Sequence, residues 1–331
     1  MFIDIYTHIF PGEFYDKMTK AAPKLENIGK RMQSVTAIHD LDERFRQMDP
    51  FGDYRQIISL PNPPLEEITD PATGTELARV GNDAMAELVR KYPDRFPGFV
   101  AVLAMHDMDS AMVELHRAIK DLGARGVQIF SNIDGKPLDL SEYQPLFGAM
   151  AEYDLPIWMH PTRPASRSDY ASEERSRYEM WWCFGWPYET SIAMTRLVFS
   201  GLFDRHPGIK IVTHHMGGMI PFFDGRIGPG MDVLGARTTD EDYSDVLSSL
   251  KKPHLEYFKM FYADTAMFGT SGGIKCGIDF FGDDQVVFST DAPFAPVRET
   301  FQSIDALDLD SASLDKIMFG NAAKLMKLDL S

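Results

Sequence analysis

Residues 125–160 read RGVQIFSNIDGKPLDLSEYQPLFGAMAEYDLPIWMH. The stretch opens on a short apolar run, Arg125–Phe130, and closes on a second, Leu155–His160. Between them, Leu140–Asp154 carries Leu146, Met150 and Tyr153 at helical spacing, with Ser141 placed as a cap. Strand, helix and strand in that order form the unit from which parallel sheets are built. Runs this short and this continuously apolar suit strands buried on both faces.

The alternation continues in both directions. Apolar runs at Phe2–Ile5, Arg55–Leu60, Gly98–Ala104, Ile209–His214, Met260–Thr265 and Gln285–Thr290 bring the total to eight. Helix-like segments fill the gaps. Asp109–Gly123 has an Asp suited to an N-cap and a closing Gly, and Glu76–Pro93 is stopped by its proline. Eight strands separated by helices is the number that closes a (β/α)8 TIM barrel, an α/β fold. A doubly wound open sheet is the rival. The lack of a G-x-G-x-x-G after the first run weighs against its dinucleotide-binding form. The expectation is one barrel domain over residues 1–331.

Two connections are long for a compact domain, Phe10–Asp53 and Pro161–Gly208. The second follows the fifth run as an inserted, aromatic-rich segment with Trp181, Trp182, Phe184 and Trp186. That cluster reads equally as lid, substrate wall, dimer contact or small satellite core.

Composition narrows the function. The 331 residues are 44% hydrophobic and 25% charged, ordinary globular usage. A formal charge of -16 and a pI near 4.9 argue against nucleic acid or anionic membranes as broad-surface partners. No stretch approaches the apolar length of a membrane span, and the acidic Asp4 in the first run argues against a signal peptide. Two distant cysteines, Cys183 and Cys276, read as reduced thiols of a cytoplasmic protein.

Polar residues collect where the apolar runs end. Tyr6 and His8 follow the first run, and alternation puts them on one side of it. His160 ends the fifth, His214 and His215 the sixth, Asp264 the seventh and Asp291 the eighth. Singly, each has a structural explanation; Asp264 and Asp291 could each cap a helix. In a barrel, however, strand C-termini form the active-site face. Neutral imidazoles and a carboxylate gathered there suit a divalent metal, Zn²⁺ first and Mn²⁺ second.

The chain resembles the amidohydrolase superfamily, in the branch of 2-amino-3-carboxymuconate-6-semialdehyde decarboxylase and γ-resorcylate decarboxylase. The pieces that carry the resemblance are IDIYTH, RGVQIFSNIDG, PIWMHP, FYADTA, VVFSTDAPF and FGNAAKLMKL, with the long block from Gly185 to Ile227 the most specific. The resemblance implies that His8, His160 and Asp291 bind the metal. It implies that His215, set at the family's distance from its proline by HMGGMIP, transfers protons with Asp291. On alternation His214 then points away from the interior. Arg226 matches an arginine that contacts substrate or a neighbouring subunit. Phe294 and Trp186 wall an aromatic site. His106 could face the pocket, but a capping role beside Asp107 is the simpler reading.

Tyr6 departs from the family, which has His or Glu there. Three readings stay open: a phenolate ligand, a neutral group near metal or substrate, or a site with weakened metal binding. The implied activity is metal-dependent, non-oxidative decarboxylation of an aromatic or unsaturated carboxylic acid. The alternatives are hydrolysis or hydration of a lactone, ester or C=C bond in the same fold, and a non-catalytic barrel. The resemblance also implies a homodimer.

Overall fold

The computed structural model describes residues 1–23 and 28–330; residues 24–27 of the first long connection lie outside them, as does Ser331. The barrel strands, apart from a small antiparallel hairpin of Asn132–Ile133 and Lys136–Pro137, are β1 (Phe2–His8), β2 (Tyr54–Ser59), β3 (Gly98–Phe99), β4 (Ala101–Val102), β5 (Val127–Phe130), β6 (Pro156–His160), β7 (Lys210–Thr213), β8 (Tyr262–Asp264) and β9 (Val286–Val287). Every pairing among them is parallel, in the orders β1-β2-β3 and β4-β5-β6-β7-β8-β9. β3 and β4 form one stave interrupted at Val100, whose N–H donates to Ile58. The ring closes where Ile5 N–H donates to Phe288 at 3.1 Å and His8 N–H to Ala292 at 2.7 Å. That closure excludes the open sheet and makes the fold a (β/α)8 barrel.

The first run extends past Ile5 to His8, and β1 gains an extra residue between Asp4 and Thr7 relative to β2. Helices begin where side chains cap them. Asp70, followed by Pro71, caps α1 (Pro71–Lys91), which starts five residues earlier than the sequence pattern predicts. Asp107, not Asp109, caps α2 (Met108–Lys120) by accepting from Ser110 N–H. Ser141 is no cap; Ser141–Tyr143 forms a 3-10 turn ahead of α3 (Gln144–Tyr153). The long aromatic connection ends in the short helix Met180–Cys183 and α4 (Gly185–Phe199).

Two apolar layers hold the barrel. The inner one contains Ile3, Ile5, Ile57, Val100, Trp158, Val212 and Val287. Trp158 spans it and donates its indole N–H to the Ile5 carbonyl at 3.0 Å, so its polar atom is satisfied inside the core. The outer layer packs strands against helices through residues such as Leu77, Leu115, Phe147 and Leu197. Inward side chains recur every second residue, so Trp158 and Val212 set the direction of His160 and His214. Among the described residues no helix is long and apolar enough to cross a membrane.

Candidate metal centre

Five strand ends converge on one position. His8 ends β1, His160 ends β6, His214 follows β7, Asp264 ends β8 and Asp291 follows β9. One ring nitrogen from each of His8, His160 and His214 lies within 4.8 Å of the others, and His214, His215 and Asp291 satisfy the same criterion. His8 Nε2 is 3.2 Å and His214 Nε2 3.6 Å from Asp291 Oδ1.

The other nitrogen of each imidazole is already engaged. His8 Nδ1 faces Ser59 Oγ at 3.3 Å, and that hydroxyl donates to the Thr7 carbonyl. His160 Nδ1 faces the Pro161 carbonyl at 2.8 Å and the Asn62 amide at 3.0 Å. His214 Nδ1 meets Asp264 Oδ2 at 2.5 Å. Hydrogen bonds of this kind fix the ring orientation and direct Nε2 away from the partner that holds Nδ1. His8 Nε2, His214 Nε2 and the Tyr6 hydroxyl are buried with no hydrogen-bond partner among the described residues. Orphaned polar atoms are costly unless something fills the space between them. A divalent cation fits that donor set.

Burial and neighbouring charge act on Asp291 and His214 in opposite directions. Burial pushes the Asp291 carboxyl up, but His214, His215 and His8 outweigh it and hold it well below the usual range. Burial lowers His160 far below an ordinary histidine, with His214 and His8 adding to the effect, so its imidazole is neutral. His8 is lowered by burial too. Burial would also lower His214, but Asp264 and Asp291 overcome it and push it up to about 9, so a cation binding at Nε2 has to displace a proton. Burial, with Asp264 and Asp291 nearby, raises the Tyr6 phenol well above 10.

His8, His160 and Asp291 reach the floor of a cavity of about 1330 Å³. Its walls include Trp181, Trp182, Trp186, Phe268 and Phe294, with Arg31 and Arg177 among the other lining residues. The Phe294 ring centroid is 5.7 Å from that of His8, and Trp186 meets His160 edge-on at 5.7 Å. The aromatic connection is therefore a cavity wall, although Phe184 itself is exposed.

The structure corrects four expectations. His214 points inward and is fully buried, because Val212, two residues before it, faces the inner layer. His215 comes next, after the strand has ended. It and Met216 both have positive φ, a sharp turn that lays the two imidazoles face to face at 3.7 Å. His215 still approaches the site, with Nε2 3.9 Å from Asp291 Oδ2. Arg226 is exposed against Phe223 and does not line the cavity. Tyr6 lies in the barrel interior beside the imidazoles rather than on the cavity surface. His106 does not cap a helix; its ring nitrogens are buried without partners, packed near Gly74 and Thr69.

The residue order placed Asp264 among the strand ends with helix capping as its simple explanation, and gave no sign of Ser59, Asn62 or Arg44. Asp264 also accepts the backbone N–H groups of His215 and Ala266, so it fixes the turn as well as the imidazole. Its place at the end of an apolar run was the only signal. Gly218, at φ +63, lets the turn pass so close to the Pro187 carbonyl that a Cβ would collide with it.

Strand-end imidazoles around orphaned nitrogens define a metal-binding (β/α)8-barrel protein. More specifically, the chain belongs to the amidohydrolase family, whose model matches residues 3–328. It is 33% identical to γ-resorcylate decarboxylase of Polaromonas sp. (strain JS666 / ATCC BAA-500), over 87% of each chain. It is 27% identical to 2-amino-3-carboxymuconate-6-semialdehyde decarboxylase of Dictyostelium discoideum, over 99% of this chain and 92% of the relative. A similar solved structure is dihydroxybenzoic acid decarboxylase from Polaromonas sp. JS666, with bound manganese and the inhibitor 2-nitroresorcinol. Its TM-score is 0.80 at 28% identity, over 100% of this chain and 98% of that one.

Proposed function

We propose that this chain is a metal-dependent, non-oxidative decarboxylase of a hydroxylated aromatic carboxylic acid. The observation that carries the reading is the set of inward-facing imidazoles and Asp291 at the floor of an aromatic-walled cavity. The decarboxylase relatives favour carbon–carbon cleavage over hydrolysis or hydration. The orphaned nitrogens argue against a barrel that has lost its metal.

His8, His160 and Asp291 are the residues proposed to hold the cation. A bound divalent ion supplies Lewis-acid polarisation of the substrate carboxylate and a neighbouring hydroxyl. We favour Zn²⁺ because the donors are mainly imidazoles, while the manganese of the Polaromonas structure supports Mn²⁺ as the rival. Trp186 and Phe294 wall the space for the substrate ring and exclude water from it. His215, beside Asp291, delivers a proton to the ring carbon that bears the carboxylate. The C–C bond then breaks, its electron pair restores the ring, and CO₂ leaves.

The proposal covers residues 1–331 as one domain working as a homodimer, in which Arg226 faces the partner rather than its own cavity. The exposed apolar side chains Phe184, Tyr188 and Ile192, spaced four apart along α4 and its start, support such an interface. The unpaired Cys183 and Cys276 support residence in the cytoplasm.

The test is incubation of Zn²⁺- and Mn²⁺-loaded protein with 2,6-dihydroxybenzoate, 5-carboxyvanillate and other hydroxybenzoates while CO₂ is followed. Release from at least one acid is expected. No release across the panel with either metal overturns the reading.

A further inference from the structure

Tyr6 shares the barrel interior with three imidazoles, one of which, His214, has no role in the proposed ligand set above. His214 is fully buried and its Nε2 has no partner among the described residues. That nitrogen and His8 Nε2 approach the same Asp291 oxygen, at 3.6 and 3.2 Å, without forming a hydrogen bond to it. Both contacts are ion pairs without hydrogen-bond geometry, and a cation placed among the three atoms would satisfy all of them. Asp264 holds His214 Nδ1, as Ser59 holds His8 and Pro161 holds His160, so three imidazoles present the same free edge.

Tyr6 relates to His214 as a flat neighbour. Their ring centroids are 4.0 Å apart and their planes 14° from parallel, whereas Tyr6 meets His8 and His160 at 65° and 56°. The phenol ring therefore covers one face of the His214 imidazole, and the His215 ring covers the other at 3.7 Å. Held between two rings and clamped by Asp264, His214 has one orientation, as a metal ligand requires.

We propose that His214 supplies the third imidazole of the metal site, alongside His8, His160 and Asp291, while Tyr6 serves as a stacking platform and does not coordinate. The inference rests on the metal-dependent reading above and adds the ligand set. It also leaves His215, outside that set, as the histidine that moves protons.

The test reads metal binding rather than turnover. Isothermal titration with Zn²⁺ compares the wild type with Tyr6→Phe and His214→Gln. Tyr6→Phe is expected to keep one ion per chain with affinity within about threefold, and His214→Gln to lose at least about tenfold. Electron-spin-echo modulation of the Cu²⁺-loaded wild type, which needs no variant, is expected to count three coordinated imidazoles. The Fe³⁺-loaded wild type is expected to lack a phenolate charge-transfer band. A count of two imidazoles, a charge-transfer band that Tyr6→Phe abolishes, or unchanged affinity in His214→Gln overturns the assignment. A wild type that binds no divalent ion overturns both this inference and the metal-dependent reading. Three imidazoles on the ion without CO₂ release from any acid overturn the decarboxylase reading alone.

Discussion

His214 Nδ1 and Asp264 Oδ2 are 2.5 Å apart, and both side chains are fully buried. The other Asp264 oxygen accepts from His215 N–H and Ala266 N–H. One carboxylate thus orients the imidazole and holds the backbone turn beside it. Asp264→Asn keeps the shape. With its oxygen retained by the two N–H groups, its amide N–H₂ would face His214 Nδ1 and drive the proton to Nε2. The expected result is a roughly 10- to 100-fold loss of metal affinity with the fold intact. Titration calorimetry and circular dichroism check the two halves of that statement.

Trp186 lines the cavity with its indole N–H buried and unpartnered among the described residues. A substrate oxygen would satisfy it. Trp186→Phe keeps the aromatic wall and removes the donor, so KM is expected to rise by about five- to tenfold, one ordinary hydrogen bond, while metal content stays at the wild-type level. Steady-state kinetics with metal analysis on the same preparation is the measurement.

Arg44 is a buried guanidinium that bridges β1 and β2. It donates to the His8 carbonyl at 2.6 Å, Gln56 Oε1 at 2.7 Å and Thr7 Oγ1 at 3.0 Å. Burial lowers its pKa to about 10, so it stays charged at neutral pH. Arg44→Met strands these acceptors in the core and is expected to cost on the order of 3 kcal/mol in urea unfolding. Because His8 lies on the same tie, metal affinity should fall with stability.

Asp4 sits on the floor of the barrel, accepting from Tyr54 and Thr290 hydroxyls and from Thr290 N–H. Burial raises its pKa to about 6 despite these bonds. The folded protein therefore binds this proton more tightly than the unfolded chain does. The stabilisation that the protonated group gives is complete below about pH 4 and is lost as pH rises to about 6. Asp4→Asn has no such loss. Its stability relative to wild type should climb between pH 4 and 6, by up to about 3 kcal/mol, and then stay level. Thermal unfolding of both proteins from pH 4 to 8 would show a constant difference if Asp4 does not titrate there.

Much of the molecule was legible in residue order because local rules govern it. Short buried runs became the parallel strands, and their number closed the barrel. His8, His160 and Asp291 stood out as polar residues at the ends of apolar runs, and the family resemblance implied their role as ligands. Other features had no local signature. Whether His214 or His215 turned inward depended on which of two alternating sets faced the axis. That was settled by Val212 packing with Trp158 and Val287, which come from different strands. Arg44, Ser59, Asn62 and Asp264 acquired their roles only when distant segments met, as the separation of Asn62 and His160 by 98 residues illustrates. Tyr6 is the same case in a single residue. Its place in the chain marked it as a departure, but only the parallel contact with a histidine 208 positions later gave that departure a physical meaning. Residue order sets which groups leave a strand and how often. Which of them share one small volume is decided by closing the barrel, because that alone fixes the distances between strands.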